Sequence, residues 1–290
     1  MHIYNLFLDL DGTLLGRSRV LHPETKAALE DTRQRGNRIF LCSGRSPVYL
    51  REGICRELEF DGIVASAGGY ASVFESTPDG RREKCIFKNS IEKPLLLRIL
   101  ADFERLGVRY EFESADGIYA APETDAFFLQ MICETYGLNE EQKKTQEKEF
   151  KKAWDKGINL DIKNWNPDIP VPKIVFVTDR REEFETLLPS LEEDFNLNYF
   201  LQAGNLTAGE LILKDCTKKT GIAKILEYYG AVPADAVGFG DSMNDLEMIG
   251  SVGTGVVSKF APPLLLAATD LTFEDPDEGG IAKAMKKLGL

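Results

Sequence analysis

Nowhere does this chain of 290 residues approach the ~20 consecutive apolar residues that a membrane-spanning helix requires, so no span is expected. The N-terminus, Met1-His2-Ile3-Tyr4-Asn5-Leu6-Phe7-Leu8, lacks the basic region and cleavage site of a secretory leader. The expectation is a soluble, cytoplasmic protein. Cysteine is sparse: Cys42, Cys55, Cys85, Cys133 and Cys216 form no CxxC pair and no metal-ligand spacing. The odd count argues against a disulfide framework, and the thiols read as reduced and mostly buried. Positive charge is also short, with 35 Lys and Arg against 47 Asp and Glu and a net charge of −12. Such a surface repels nucleic acid and anionic membranes, and neither is expected as a partner. An acidic protein that handles an anionic substrate must gather cations at its site, from a metal, a Lys or helix N-termini. His2, His22, Trp154 and Trp165 lie outside every motif and read as structural.

Hydrophobic residues make up 43% of the chain, enough for one large α/β domain with an insert or for two domains. Residues 3–9, 38–42 and 62–65 read as buried strands separated by helices, the first helix opening at Pro23 and closing at Gly36. After about residue 70 the texture becomes antiparallel, with a hairpin around Pro78-Asp79-Gly80, an apolar helix over 95–106 and a second hairpin at Asp116-Gly117. Residues 140–156 read as a charged, solvated helix, its lysines alternating with glutamates. The doubly wound texture returns from Gly209, with 211–213 read as a strand leading into a helix from Thr217, and 236–239 as a further strand. The expected fold is a doubly wound parallel-sheet, Rossmann-like α/β core over 1–83 and 213–290. An α+β domain over 84–212 interrupts it.

Four polar clusters follow these segments. Asp9-Leu10-Asp11-Gly12-Thr13 ends the first strand, where residues i and i+2 share a side, so both carboxylates can address one site. Two acids this close call for a cation between them, and oxygen ligands favour a hard metal. Ser43-Gly44-Arg45 ends the second strand, combining a hydroxyl, bare backbone and a helix start suited to phosphate oxygens, although Ser43 equally suits an ordinary helix cap. Lys218 and Lys219 stand at a helix N-terminus, where cations are electrostatically misplaced unless an anion is near; simple solvation remains open. Gly240-Asp241-Ser242-Met243-Asn244-Asp245 puts acids at another strand end. All four are expected after four different strands of one sheet.

In this order the clusters resemble the haloacid dehalogenase-like phosphatases: Asp-x-Asp-Gly-Thr the first motif, Ser43 the second, Lys218 the third and Gly-Asp-x-x-Asn-Asp the fourth. The long gap from Ser43 to Lys218, and Asp-Glu-Gly-Gly-Ile-Ala at 277–282, are similar to the Cof-type branch, which carries an α/β specificity cap there. The resemblance implies Asp9 as nucleophile and Asp11 as acid and base. It implies Ser43, Gly44, Arg45, Lys218 and Asn244 toward the phosphate, and Mg²⁺ on Asp9, the Asp11 carbonyl and Asp241. Asp245 stands behind Asp241 and Lys218. The substrate it implies is a small phosphorylated metabolite, sugar or cofactor phosphate, with no obligate protein partner. Two stretches depart from that branch: Ala67-Gly68-Gly69 replaces its usual Asn-Gly, and 255–259 replaces a Gly-Asn-Ala stretch. A phosphomutase, and a phospholigand-binding module without turnover, remain as alternatives.

Overall fold

The computed structural model describes residues 2–135 and 137–290. In chain order its strands are β1 (Asn5–Leu8), β2 (Arg38–Cys42), β3 (Gly62–Ala65), β4 (Tyr70–Thr77), β5 (Gly80–Lys88), β6 (Arg109–Glu113) and β7 (Ile118–Ala120). They continue with β8 (Asn159–Asp161), β9 (Lys173–Thr178), β10 (Phe195–Ala203), β11 (Leu206–Leu213), β12 (Ala236–Gly240), β13 (Thr254–Ser258) and β14 (Thr272–Phe273). The chain divides into two compact units, one of residues 1–45, 50–88 and 215–290 and one of 46–49 and 89–214.

The first unit holds an eight-stranded sheet in the order β14-β13-β12-β1-β2-β3-β4-β5. Pairing is parallel from β14 to β3 and antiparallel through β4 and β5. β1 is central and every residue of its Asn-Leu-Phe-Leu is buried, as expected of a strand covered on both faces. Ile222 and Ile225 of the helix Lys218–Tyr229 pack with Phe7 and Phe40 in one cluster. That helix stops where Gly230 turns left-handed at φ 62, a conformation open to a residue without Cβ. From β1 the chain first builds β2 and β3 on one side, and later β12 to β14 on the other. The strand order thus reverses at β1, and doubly wound sheets bind ligands at the carboxyl ends beside such a switch point.

The second unit is a six-stranded sheet, β10-β11-β9-β6-β7-β8, antiparallel except where β7 meets β8. Phe112, Phe176 and Leu211 form an apolar cluster with Phe103 of the helix Lys93–Leu106. Among residues that alternate onto the opposite face, Lys173 is buried between Glu113 (3.0 Å) and Glu210 (2.7 Å). Burial opposes the Lys173 charge, but the two glutamates outweigh it and hold the amine above the usual lysine range. The charged helix is Glu140–Asp155, opened by a reciprocal capping box between Asn139 and Gln142.

Three local expectations are corrected. Residues 211–213 belong to β11, which pairs with β9 and β10 in the second sheet, so Lys218 does not follow a strand of the first sheet. A three-residue apolar run fits either sheet, and only pairing decides. The hairpin of β4 and β5 completes the first sheet instead of opening the antiparallel one. The thiols are not mostly buried: Cys42 and Cys216 are, Cys55 and Cys133 are partly exposed, and Cys85 is exposed on edge strand β5; all five are free. Among the described residues no helix is long and apolar enough to cross a membrane.

Candidate active site

Three strand ends deliver the first-unit acids and Ser43. β1 lies between β12 and β2, and the Asp9 amide extends the ladder by donating to the Phe239 carbonyl (2.9 Å). The Ser43 amide does the same to Val64 (2.9 Å). Asp9 follows β1, Ser43 follows β2 and Asp241 follows β12. Lys218 arrives differently, as the first residue of its helix, and its side chain is buried.

The Lys218 ammonium is the hub. It donates to Asp9 Oδ1 (2.5 Å), Asp245 Oδ1 (2.5 Å) and Asn244 Oδ1 (3.2 Å), using all three of its protons. Burial works against its charge, yet Asp9 and Asp245 outweigh burial and hold it well above the ordinary lysine range. Asp9 is displaced upward, first by burial and further by Asp245 and Asp241, with Lys218 pulling the other way. Asp241 is raised too, by burial and by Asp245. Cys42 lies close by, but burial pushes its thiol up and leaves it inert.

Oxygens of Asp9, Asp241 and Asp245 lie within 4.8 Å of one another, a grouping with metal-ligand potential. Three carboxylates against one ammonium leave two negative charges, which a divalent cation cancels. The hydrogen bonds say which oxygens remain for it. Asp245 spends Oδ1 on Lys218 and Oδ2 on the Asp241 and Ser242 amides (2.9 and 3.1 Å). Thr13 Oγ1 donates to Asp241 Oδ1 (3.0 Å). Asp9 and Asp241 also lie within hydrogen-bonding reach of each other, a close approach of two acids whose oxygens fit a hard cation. Gly12 lets the two strand ends meet: at φ 89, a Cβ there would lie 2.3 Å from Asp241 Oδ2.

Asp11 and Arg45 form a pair of their own. The guanidinium grips the carboxylate through Nε (2.8 Å) and Nη2 (2.6 Å), and the Asp11 side chain is 51% exposed. Arg45, assigned to phosphate from the sequence, thus has Asp11 as its partner here. Ser43 Oγ accepts the Arg45 amide (3.1 Å), which leaves its hydroxyl proton to donate. At Gly44 a Cβ would meet nothing within 4 Å, so the glycine is not required by crowding.

Sequence reasoning assigned no role to Thr13, although it closes the Asp-x-Asp-Gly-Thr run, and none to the loop at 66–69. The Ser66 amide donates to the Arg45 carbonyl (2.8 Å) and the Ala67 amide to that of Ser43 (3.2 Å). At Gly68, φ 103, a Cβ would fall 1.8 Å from the Thr217 carbonyl oxygen. The loop therefore braces Ser43 and the start of the Lys218 helix together. It does so with Ser66 (φ 47) and Ala67 (φ 54) both left-handed. Asn tolerates that region better than Ala, which explains in physical terms what the departure at Ala67 costs. Ala67→Gly is expected to raise stability by roughly 0.5–1 kcal/mol, read as a small upward shift in thermal midpoint. A lower midpoint would mean that the left-handed backbone is not strained.

Fold and site together define an enzyme of the α/β class with carboxylates and one ammonium gathered at the switch point of a doubly wound sheet. The chain belongs to the haloacid dehalogenase-like hydrolases: residues 6–285 match that family's profile. A Bacillus subtilis protein named "Putative phosphatase YkrA" is 26% identical over 285 residues, covering 98% of this chain and 97% of that one. A Mycoplasma genitalium protein named "Putative phosphatase MG265" is 27% identical, covering 99% of each. Among solved structures, a hypothetical protein from Geobacillus kaustophilus superposes with a TM-score of 0.77 at 21% identity over 99% of each chain. The subclass IIB sugar phosphatase BT4131 gives 0.69 at 24%, again over 99% of each. The expected resemblance and fold class are borne out.

Proposed function

We propose that this hydrolase of the phosphatase class acts on small phosphomonoesters, sugar or cofactor phosphates, through an aspartyl-phosphate on Asp9 with Mg²⁺ as cofactor. The observation that carries the reading is the Asp9 carboxylate, buried, held by Lys218 and flanked by Asp241 and Asp245. Pure binding of an anion needs no such concentration of acids.

An Asp9 oxygen attacks phosphorus, the bond to the leaving oxygen breaks in line, and the Asp11 proton passes to that oxygen. Asp11, now ionised, takes a proton from water, which attacks the aspartyl-phosphate and frees Asp9 and inorganic phosphate. Lys218 draws Asp9 toward its ionised form against the effect of burial, and adds positive charge beside the phosphoryl oxygens. The Ser43 hydroxyl and the Gly44 backbone donate to the same oxygens. Asn244 steadies Lys218, and Asp245 steadies both Lys218 and the Asp241 turn. Arg45 must release Asp11 before that carboxyl can carry a proton, and an arriving phosphate is the competing anion that draws it away. Asp9, Asp241 and the Asp11 carbonyl would hold Mg²⁺, which supplies charge to offset that of the phosphoryl group. The second unit, residues 46–49 and 89–214 where the sequence suggested 84–212, is the proposed specificity cap, and the first unit the catalytic core.

The test is phosphate release from a small aryl phosphate with Mg²⁺ and with chelator. A loss of at least ~100-fold on chelation is expected. Equal rates in both would remove the metal from the reading. A requirement for a sugar bisphosphate with little free phosphate would favour a mutase.

A further inference from the structure

We propose that the second unit carries a cation site of its own, in which Glu111, Asp125 and Asn159 hold a hard divalent cation of the Ca²⁺ type. The inference stands apart from the phosphatase reading. Glu111 belongs to β6 and Asn159 to β8, while Asp125 comes from the helix Pro122–Thr135. Strand register sets the first two on one face of the sheet. Glu111 pairs with Ala120, and Asn159 pairs with Ile118, two residues back along β7 and so on the same side. This is the face that carries Lys173, opposite the Phe112 and Phe176 cluster.

The oxygens gathered there lack donors. Asp125 Oδ2 accepts from Trp154 Nε1 (2.5 Å) and from Asn159 Nδ2 (2.9 Å). Asp125 Oδ1 and Asn159 Oδ1 are buried and accept nothing, in residues only 6% and 5% exposed. Buried acceptors without a partner are rare in native interiors. Glu111 adds a carboxyl with no hydrogen-bond or ion-pair partner among the described residues. Burial first, then Asp125 and Glu113, push that carboxyl up to about 8, with Lys173 pulling the other way.

No positive side chain nearby is left to match these acids. Lys173 is shared by Glu113 (3.0 Å) and Glu210 (2.7 Å). Arg109, two residues from Glu111 along β6, lies over the Phe127 ring at 3.9 Å. A water, or a proton on Glu111, would satisfy oxygens yet leave a carboxylate without a counter-charge. A divalent cation answers both needs. The three ligands are oxygens brought from three separate elements, and the adaptable coordination of Ca²⁺ suits them better than the strict octahedron of Mg²⁺. An ion there would tie β6, β8 and the start of the helix Pro122–Thr135 together. Through Trp154 it would also hold the end of the helix Glu140–Asp155.

Tb³⁺ serves as the probe for Ca²⁺, because it luminesces when an adjacent indole passes on its excitation, and Trp154 touches Asp125 itself. Titration of the full chain should give tryptophan-sensitised luminescence that added Ca²⁺ displaces. Glu111→Gln and Asp125→Asn should each weaken Tb³⁺ binding at least roughly tenfold. Trp154→Phe should dim the signal, and Asp241→Asn in the first unit should leave it in place. Should Asp125→Asn fail to fold, Glu111→Gln carries the test, since glutamine keeps the shape and adds a donor for the Asp125 oxygen. The site is overturned by a parent without sensitised luminescence or by a signal that Ca²⁺ does not displace. Loss of the signal in Asp241→Asn, or an affinity unchanged within twofold in Glu111→Gln, would overturn it equally.

Discussion

Asp9→Asn is expected to abolish phosphate release, by at least roughly 10³-fold, while the protein remains folded. The amide keeps the volume of the carboxyl but has no anionic oxygen to attack phosphorus, so no aspartyl-phosphate forms. Folding is spared for an electrostatic reason. Asp9 is raised well above the ordinary carboxylate range, first by burial, so its ionised form is disfavoured in the native state. Asparagine removes that burden and one of three crowded acids, while Lys218 keeps Asp245 as its anionic partner. The metal-free variant should therefore melt no lower than the parent. Phosphate release and thermal unfolding on one preparation check both halves. Near-normal turnover would take the nucleophile's role from Asp9, and a collapse in melting would make the rate loss uninformative about chemistry.

Lys218→Met is expected to cost both activity and stability. Methionine fills most of the space, but it leaves Asp9 and Asp245 facing each other, both buried, without the ammonium that each now binds at 2.5 Å. Breaking one partner out of a buried ionic network costs about 3–5 kcal/mol, a fall of roughly 10 °C in thermal midpoint for a chain of this size. The fall should be smaller with Mg²⁺ than with chelator, because a divalent cation replaces part of the lost charge. Turnover should fall by about 10² or more, because the proposed mechanism sets the same ammonium beside the phosphoryl oxygens. A variant as stable as the parent in chelator would mean that the acids had already taken up protons.

Much of this arrangement was legible in the sequence because charge was spent where ordinary folding would not spend it. Asp9 and Asp11 repel each other at a strand end, and Lys218 opens a helix at its electropositive end. Each anomaly asks for a partner, and Lys218 with Asp9 answers both. Other features left no such trace. Thr13 is an ordinary turn residue until its hydroxyl meets Asp241, 228 positions away. Arg45 carries the same charge whether it faces phosphate or Asp11, and only geometry separates the two. Three apolar residues at 211–213 cannot declare which sheet they join, because the choice belongs to strands β9 and β10. The bracing loop at 66–69 shows up in a backbone conformation, which Ala67 does not announce as glycine would.

The pairing of β1 with β12 sets the order of events during synthesis. Asn5 bonds in register with Ala236, so the central strand of the first sheet is made more than two hundred residues before one neighbour and has to wait for it. At ~5–20 residues per second the wait is roughly 10–50 s. Throughout it, the apolar Leu6-Phe7-Leu8 edge that β12 will cover stays open on the nascent chain. The intervening unit closes its own sheet from residues 109–213, all synthesised before β12 appears. The acids of the site therefore come together only after a large part of the protein is already able to fold. A ribosome stalled before Ala236 would carry a chain with Asp9 and Lys218 but no Asp241, exposing an aggregation-prone strand and no active site.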